Sequence, residues 1–168
     1  QGNLWAQGSQ SNANGGFDNR LENSVRWDSP NWAGFVTSVQ FASGEGSPSS
    51  NSNIGSISGK YNNGPFAGVI AYQYNNNVRG VVNNELDDSA FSVAAQWQFS
   101  RFNIAAKYEW LDYDYTQSTS LKRNFWELSS TILVGANGSV YIAYGVANDG
   151  KGSAPNGAKI GQIVRGSD

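Results

Sequence analysis

FSVAAQWQFSRFNIAAKYEW, residues 91–110, decides how the rest of the chain reads. Phe91, Val93, Ala95, Trp97 and Phe99 alternate with Ser92, Ala94, Gln96 and Gln98, which is the two-residue period of an extended strand. Only Ser100-Arg101 separates this run from Phe102, Ile104, Ala106, Tyr108 and Trp110, which oppose Asn103, Ala105, Lys107 and Glu109. A two-residue connection forces an antiparallel hairpin. Both arms carry one greasy parity and one polar parity.

The same unit recurs on either side. Residues 21–29 and 35–42 pair around SPNWAG, with Leu21, Asn23, Val25 and Trp27 on one parity and Glu22, Ser24, Arg26 and Asp28 on the other. A weaker strand at about 54–62 sets Ile57 and Tyr61 against Ser56, Ser58 and Lys60. NNGP then turns it into 66–74, where Phe66, Gly68, Ile70, Tyr72 and Tyr74 share a face. Segments at about 125–135 and 140–146 meet at GANGS, residues 135–139. The other spacers are long and polar: GEGSPSSNSN (44–53), NNNVRGVVNNELDD (75–88) and YTQSTSLKRN (115–124).

The sequence therefore predicts an all-β chain of about eight strands in four hairpins, with short turns at one end and long polar loops at the other. That asymmetry, with runs near the 9–11 residues that cross a bilayer at a tilt, points to a transmembrane antiparallel up-and-down β-barrel. Aromatic residues gather toward strand ends, with Trp32, Phe35, Phe99 and Phe102 near turns and Tyr72, Tyr74, Tyr108 and Trp110 near long loops. Two interfacial girdles have this arrangement. Alternation alone also arises in any half-buried sheet. The competing readings are a soluble β-sandwich that binds carbohydrate on Trp32 or Trp110, and a small closed eight-stranded barrel acting as anchor or adhesin.

Composition narrows the function. Charged residues make up 14% of the 168, and the net charge of −2 gives no reason to expect nucleic acid as a partner. Cysteine and histidine are both absent, which removes disulfides, thiolate nucleophiles and the commonest general base. No segment approaches the run of about 18 apolar residues that a membrane helix needs. With no initiator Met and no signal peptide, the chain reads as a mature form or a piece of something longer.

Catalytic constellations are thin, and no enzyme, cofactor or resident metal is expected. Glu85, Asp87 and Asp88 read as a solvated acidic loop; Asp112 and Asp114 share a parity at a strand end and are the candidates for Ca²⁺. GVANDGK (145–151) approaches a phosphate-loop pattern, but Gly152 stands where Ser or Thr is required. Asn137-Gly138-Ser139 matches a glycosylation sequon, yet reads as a turn in which Asn137 supplies a positive φ. There remain the charges opposite the apolar stripe: Glu22, Arg26, Asp28, Lys60, Lys107, Glu109 and Glu127. In a barrel wider than its side chains can fill, such residues line water and filter ions.

NRLENSVRWDSPNWAGFVTSVQFA, residues 19–42, resembles the hairpin after the constriction loop in general porins of the betaproteobacterial and neisserial type. Trp27 stands where Tyr is frequent in that family's strand, and NWAGF fits its turn. FSVAAQWQFSRFNIAAKYEW and LSSTILVGANGSVYIAYG are similar in style to later hairpins of the family. The resemblance implies an outer-membrane, sixteen-stranded, homotrimeric barrel of a Gram-negative cell, surrounded by lipid and passing ions or small hydrophilic solutes. Residues 1–19 would then be the remainder of the constriction loop, about 20–149 the strands, and 150–168 an external loop tail. Arg20 and Arg26 match positions where such porins carry basic residues facing an acidic loop. Strands before and after this portion are missing from the pattern, so the segment resembles about half a barrel.

Overall fold

The computed structural model describes residues 17, 21, 23–44, 52–79, 85–160 and 163–166. Eight long strands follow one another: β1 (Ser24–Asp28), β2 (Phe35–Ser43), β3 (Asn53–Asn63), β4 (Phe66–Asn76), β5 (Asp88–Gln98), β6 (Phe102–Thr116), β7 (Thr119–Val134) and β8 (Gly138–Ala147). Each pairs antiparallel with the next in simple sequence order. Three short strands follow: β9 (Lys151–Gly152) pairs with β7, while β10 (Lys159–Ile160) and β11 (Ile163–Val164) form their own ladder. This is an up-and-down meander rather than two packed sheets, and the sandwich reading falls with it.

Local chemistry sets the turns. Between β1 and β2, Ala33 (φ 52°) and Gly34 (φ 96°) take left-handed conformations while Trp32 and Phe35 exchange backbone hydrogen bonds of 2.9 and 3.0 Å. Asn31 Oδ1 accepts from the Gly34 N–H at 2.6 Å. A Cβ at Gly34 would lie 2.5 Å from the Asn62 carbonyl oxygen, so this corner admits only glycine. Phe99 donates to the Phe102 carbonyl at 2.7 Å, so Ser100-Arg101 is the two-residue connection that the sequence predicts, while Asn63 opposite Phe66 shortens the predicted NNGP turn to Gly64-Pro65. In the β7–β8 turn it is Gly135, with φ 63°, and not Asn137 that supplies the left-handed residue.

Register separates two faces. Val25, Trp27, Val39, Phe41, Ile57, Ile70, Tyr72, Val93, Trp97, Ile104, Tyr108, Trp126, Leu128, Ile132, Val140, Ile142 and Tyr144 share the outer face and are all well exposed. So large an uncovered apolar area is what a lipid-facing wall presents. Along its short-turn edge Tyr61, Phe66 and Trp97 form a chain of tilted ring contacts at 5.9 and 6.1 Å, and Phe99 stacks on Phe102 at 4.4 Å. The other face is polar and curls inward: Arg26 on β1 and Glu127 on β7 line one cavity of about 690 Å³. Six strand spacings laid flat would hold them about 29 Å apart.

The structure departs from the sequence reading in three places. The first strand begins at Ser24, not near Leu21, because Asn23 turns out with φ 45°. YTQSTSLKRN is no long loop: β6 and β7 run on to Thr116 and Thr119 and meet at a tight turn. The segment from 150 onward is not a free external tail, since it folds back against β7 and carries β9, β10 and β11. Parts of the other two long spacers, 45–51 and 80–84, lie outside the described residues, as do 1–16 and 18–20.

Candidate functional site

Inward-pointing residues of β1 and β3–β7 build the wall of the cavity: Arg26, Lys60, Ala94, Gln96, Lys107, Glu127 and Ser129 among them. The antiparallel register explains their convergence. Lys60 lies opposite Val69, Val69 opposite Ala94, Ala94 opposite Lys107 and Lys107 opposite Glu127, a single row across five strands. Small inward residues at 67, 94 and 105 leave the space that the cavity occupies.

The charges on this wall are partly spent on one another. Arg26 Nη2 approaches Asp28 Oδ1 at 2.8 Å and also donates to Ser38 Oγ at 3.2 Å, with both ionic side chains about half exposed. Lys107 Nζ lies 3.1 Å from Glu109 Oε1, and Glu109 is fully buried. The contact is an ion pair off the hydrogen-bond direction, for neither Glu109 oxygen meets a hydrogen-bonding geometry. Lys107 also sits over the Phe125 ring at 5.5 Å from its centroid. Lys60 and Glu127 carry no ion pair among the described residues.

Arg26, Lys60, Lys107 and Glu109, the pore-lining residues expected from sequence, thus share the polar face, and the first three line the same cavity. Glu109 lies behind Lys107 rather than in the open space. Arg20 and Glu22 fall outside the described residues. Arg123 was missed: it has the inward parity of Glu127, and its Nε is buried without a partner. Continuing the alternation four residues upstream of Glu127 would have found it.

Beyond the apolar band the wall continues as a polar collar. Asp112 pairs with Lys122 at 2.8 Å on the outer face, and Lys122 caps the Trp110 ring at 5.7 Å, which places these charges above the hydrocarbon level. Among the described residues no cluster of three metal-ligating side chains exists, so Asp112 and Asp114 assemble no Ca²⁺ site there. One register step higher, Asp88 is opposite Asn75 and Tyr113. Arg79 clamps it through Nε at 2.7 Å and Nη2 at 2.5 Å, and donates to the Asp114 carbonyl at 2.7 Å. The expected solvated acidic loop is therefore wrong for Asp88, which is 1% exposed. Asp87 is likewise engaged, accepting from the Tyr74 hydroxyl at 2.5 Å and from Asn76 Nδ2 at 3.0 Å.

Burial pushes the Asp88 carboxyl up to about 6, against the pull of Arg79. The folded collar then binds more protons than the unfolded chain between an ordinary carboxylate value near 3.8 and about 6, so its stability falls as pH rises through that window and levels above it. Asp88→Asn should flatten this segment of the thermal-stability profile. A variant whose profile between those pH values matches the wild type would rule out Asp88 as its source.

GVANDGK needs no ligand either: Gly145 to Ala147 end β8, Lys151 opens β9, and no helix follows among the described residues. No curated protein matches the chain. A family model described as Gram-negative porin matches residues 1–162. With an up-and-down sheet, an apolar outer face and a charged inner one over the same residues, the chain belongs to the Gram-negative porins, β-barrel proteins of the outer membrane.

Proposed function

We propose that the chain forms part of the wall of a water-filled channel through which ions and small hydrophilic solutes diffuse passively, without chemistry. The observation that carries this reading is the 690 Å³ cavity, bounded by Arg26, Lys60, Lys107 and Glu127 on the face opposite the lipid-facing aromatics. A sheet whose curl encloses fixed charges in water selects solutes by size and sign. Arg20 and Glu22 share the sequence parity of Arg26. Among the described residues no pairing joins β1 to β8. Free backbone groups along two edges are not tolerated in hydrocarbon. In the assembled barrel, further strands complete these edges, in a sixteen-stranded porin that associates as a trimer.

Planar-bilayer recording on the purified protein tests the reading. Discrete ohmic conductance steps are expected, and a silent bilayer would sink it. Within that measurement, Arg26→Glu should raise the cation-over-anion permeability ratio about two-fold, because it replaces a wall cation with a second acid beside Asp28. An unchanged reversal potential in a salt gradient removes Arg26 from the selective wall. The same variant should leave thermal stability nearly untouched, since an exposed ion pair contributes little.

A further inference from the structure

The polar face has an apolar exception. At the collar end Ala90, Leu111, Tyr113 and Leu121 point inward with the parity of Lys107 and Glu127, yet all are buried. What covers them is Phe17 together with Ala154, Ala158, Ile160 and Ile163, forming one continuous apolar cluster. Phe17 meets the Tyr113 ring at 5.3 Å. The chain that leaves β8 therefore turns over the rim and packs against the inner surface of the wall.

The backbone is built for that turn. β8 keeps pairing with β7 through Ala147 opposite Phe125, bulges at 148–150, and resumes as β9 with Lys151 opposite Lys122. Ser120 N–H donates to Ser153 Oγ at 3.0 Å, and Ala154 N–H to the Ser120 carbonyl at 3.1 Å. The return passes directly over the bulge: Gly150 N–H donates to Val164 O at 2.8 Å and Gly166 N–H to Gly150 O at 3.1 Å. Arg165 ties the knot by donating to the Gly152 carbonyl and, at 3.1 Å, to Asn156 Oδ1. A Cβ at Gly150 would stand 2.6 Å from Val164 O, 2.8 Å from Leu121 Cδ1 and 2.9 Å from Ile163 Cγ2. Gly150 is the point at which only a missing side chain lets the segment seat.

We propose that residues 148–160 and 163–166 are an inward-folded cap that narrows the mouth of the channel at its collar end, seated by Ile160 and Ile163 and admitted by Gly150. The inference rests on the channel reading above. Its role is to reduce the open cross-section where solutes enter, on the side of the wall where Phe17 also lies.

Two variants of the full protein test it, read by two methods. Gly150→Val leaves every charge in place and should unseat the cap, raising single-channel conductance by about 1.5-fold or more. Ile163→Asp should do the same by placing a charge in the apolar cluster. Because the chain has no cysteine, Ala154→Cys gives a single reporter thiol. That residue is 3% exposed, so a bulky maleimide should label it slowly in the wild-type background and rapidly once Gly150→Val is added. Rapid labelling with wild-type conductance in Gly150→Val overturns the narrowing role while the channel stands, and slow labelling there overturns Gly150 as the residue that admits the segment. Equal, rapid labelling in both backgrounds overturns the docking of the segment. A wild-type protein that passes no current overturns the channel reading, and the narrowing role with it.

Discussion

Lys107→Ala should destabilise the barrel by about 3 kcal/mol, because it strands a buried carboxylate rather than because it loses a favourable pair. Glu109 has no solvent exposure, and Lys107 at 3.1 Å is the one cation within ion-pair distance of it among the described residues. Register puts Ser92 and Phe125 directly opposite it, so neither flanking strand places a charge straight across from the carboxylate. Taking away one partner of such a pair costs far more than taking away both. Lys107→Met combined with Glu109→Gln should therefore recover most of the loss, since an amide and a thioether fill comparable volume without an uncompensated ion. The temperature at which the folded, fast-migrating form disappears on gels measures both. If Lys107→Ala and wild type lose that form together, the carboxylate is solvated through the channel and the buried-pair description is wrong. Arg26 and Asp28 are the contrast: their pair is shorter at 2.8 Å, but side-chain exposures of 57% and 49% leave water to replace it.

What could be read from sequence follows the bilayer. Inside the apolar band large apolar residues point mostly outward and polar or small ones inward, with Val36, Val69 and Phe125 as inward exceptions, so alternation alone marks the hairpin, the turn and the two faces of Phe91 to Trp110. Lys60, Lys107 and Glu109 share the inward face by the same alternation. Above the band the rule inverts: Leu111, Tyr113 and Leu121 turn inward while Asp112, Asp114 and Lys122 turn out to water. A reader following the first rule sees the alternation dissolve at Trp110 and mistakes two strand extensions for a loop. The inversion has a cause that no local pattern contains, namely the segment from 148 onward folding in to cover those residues. Ile160 and Ile163 lie in the segment that the sequence assigns to an external tail, because their partners stand from about forty to more than a hundred residues away. Asp88 was misread similarly: its partner Arg79 lies across a loop, and its burial depends on the collar above the membrane.

An arginine placed on either face of the wall distinguishes lipid from channel water. Ile70→Arg should cost about 2–4 kcal/mol and reduce the yield of folded protein, whereas Ser129→Arg should fold normally. Ile70 sits on the outer face opposite Gly59 and Val93, midway along β4 between Phe66 and Tyr74, with about half its surface open. That position corresponds to the middle of the hydrocarbon, where a guanidinium has neither water nor a partner and is too far from either interface to reach it without deforming the bilayer. Ser129 has the opposite parity, lines the cavity with Glu127 on the same strand, and would hold an arginine in channel water next to a carboxylate. The same side chain is thus asked to distinguish lipid from lumen by residue parity alone. Ser129→Arg should also move the reversal potential toward anions, opposite in sign to Arg26→Glu. Folding yields in detergent and in lipid vesicles measure the first difference, and bilayer recording the second. If both variants fold equally well, the apolar face does not lie in lipid at Ile70; if Ser129→Arg is the one that fails, the two faces are reversed.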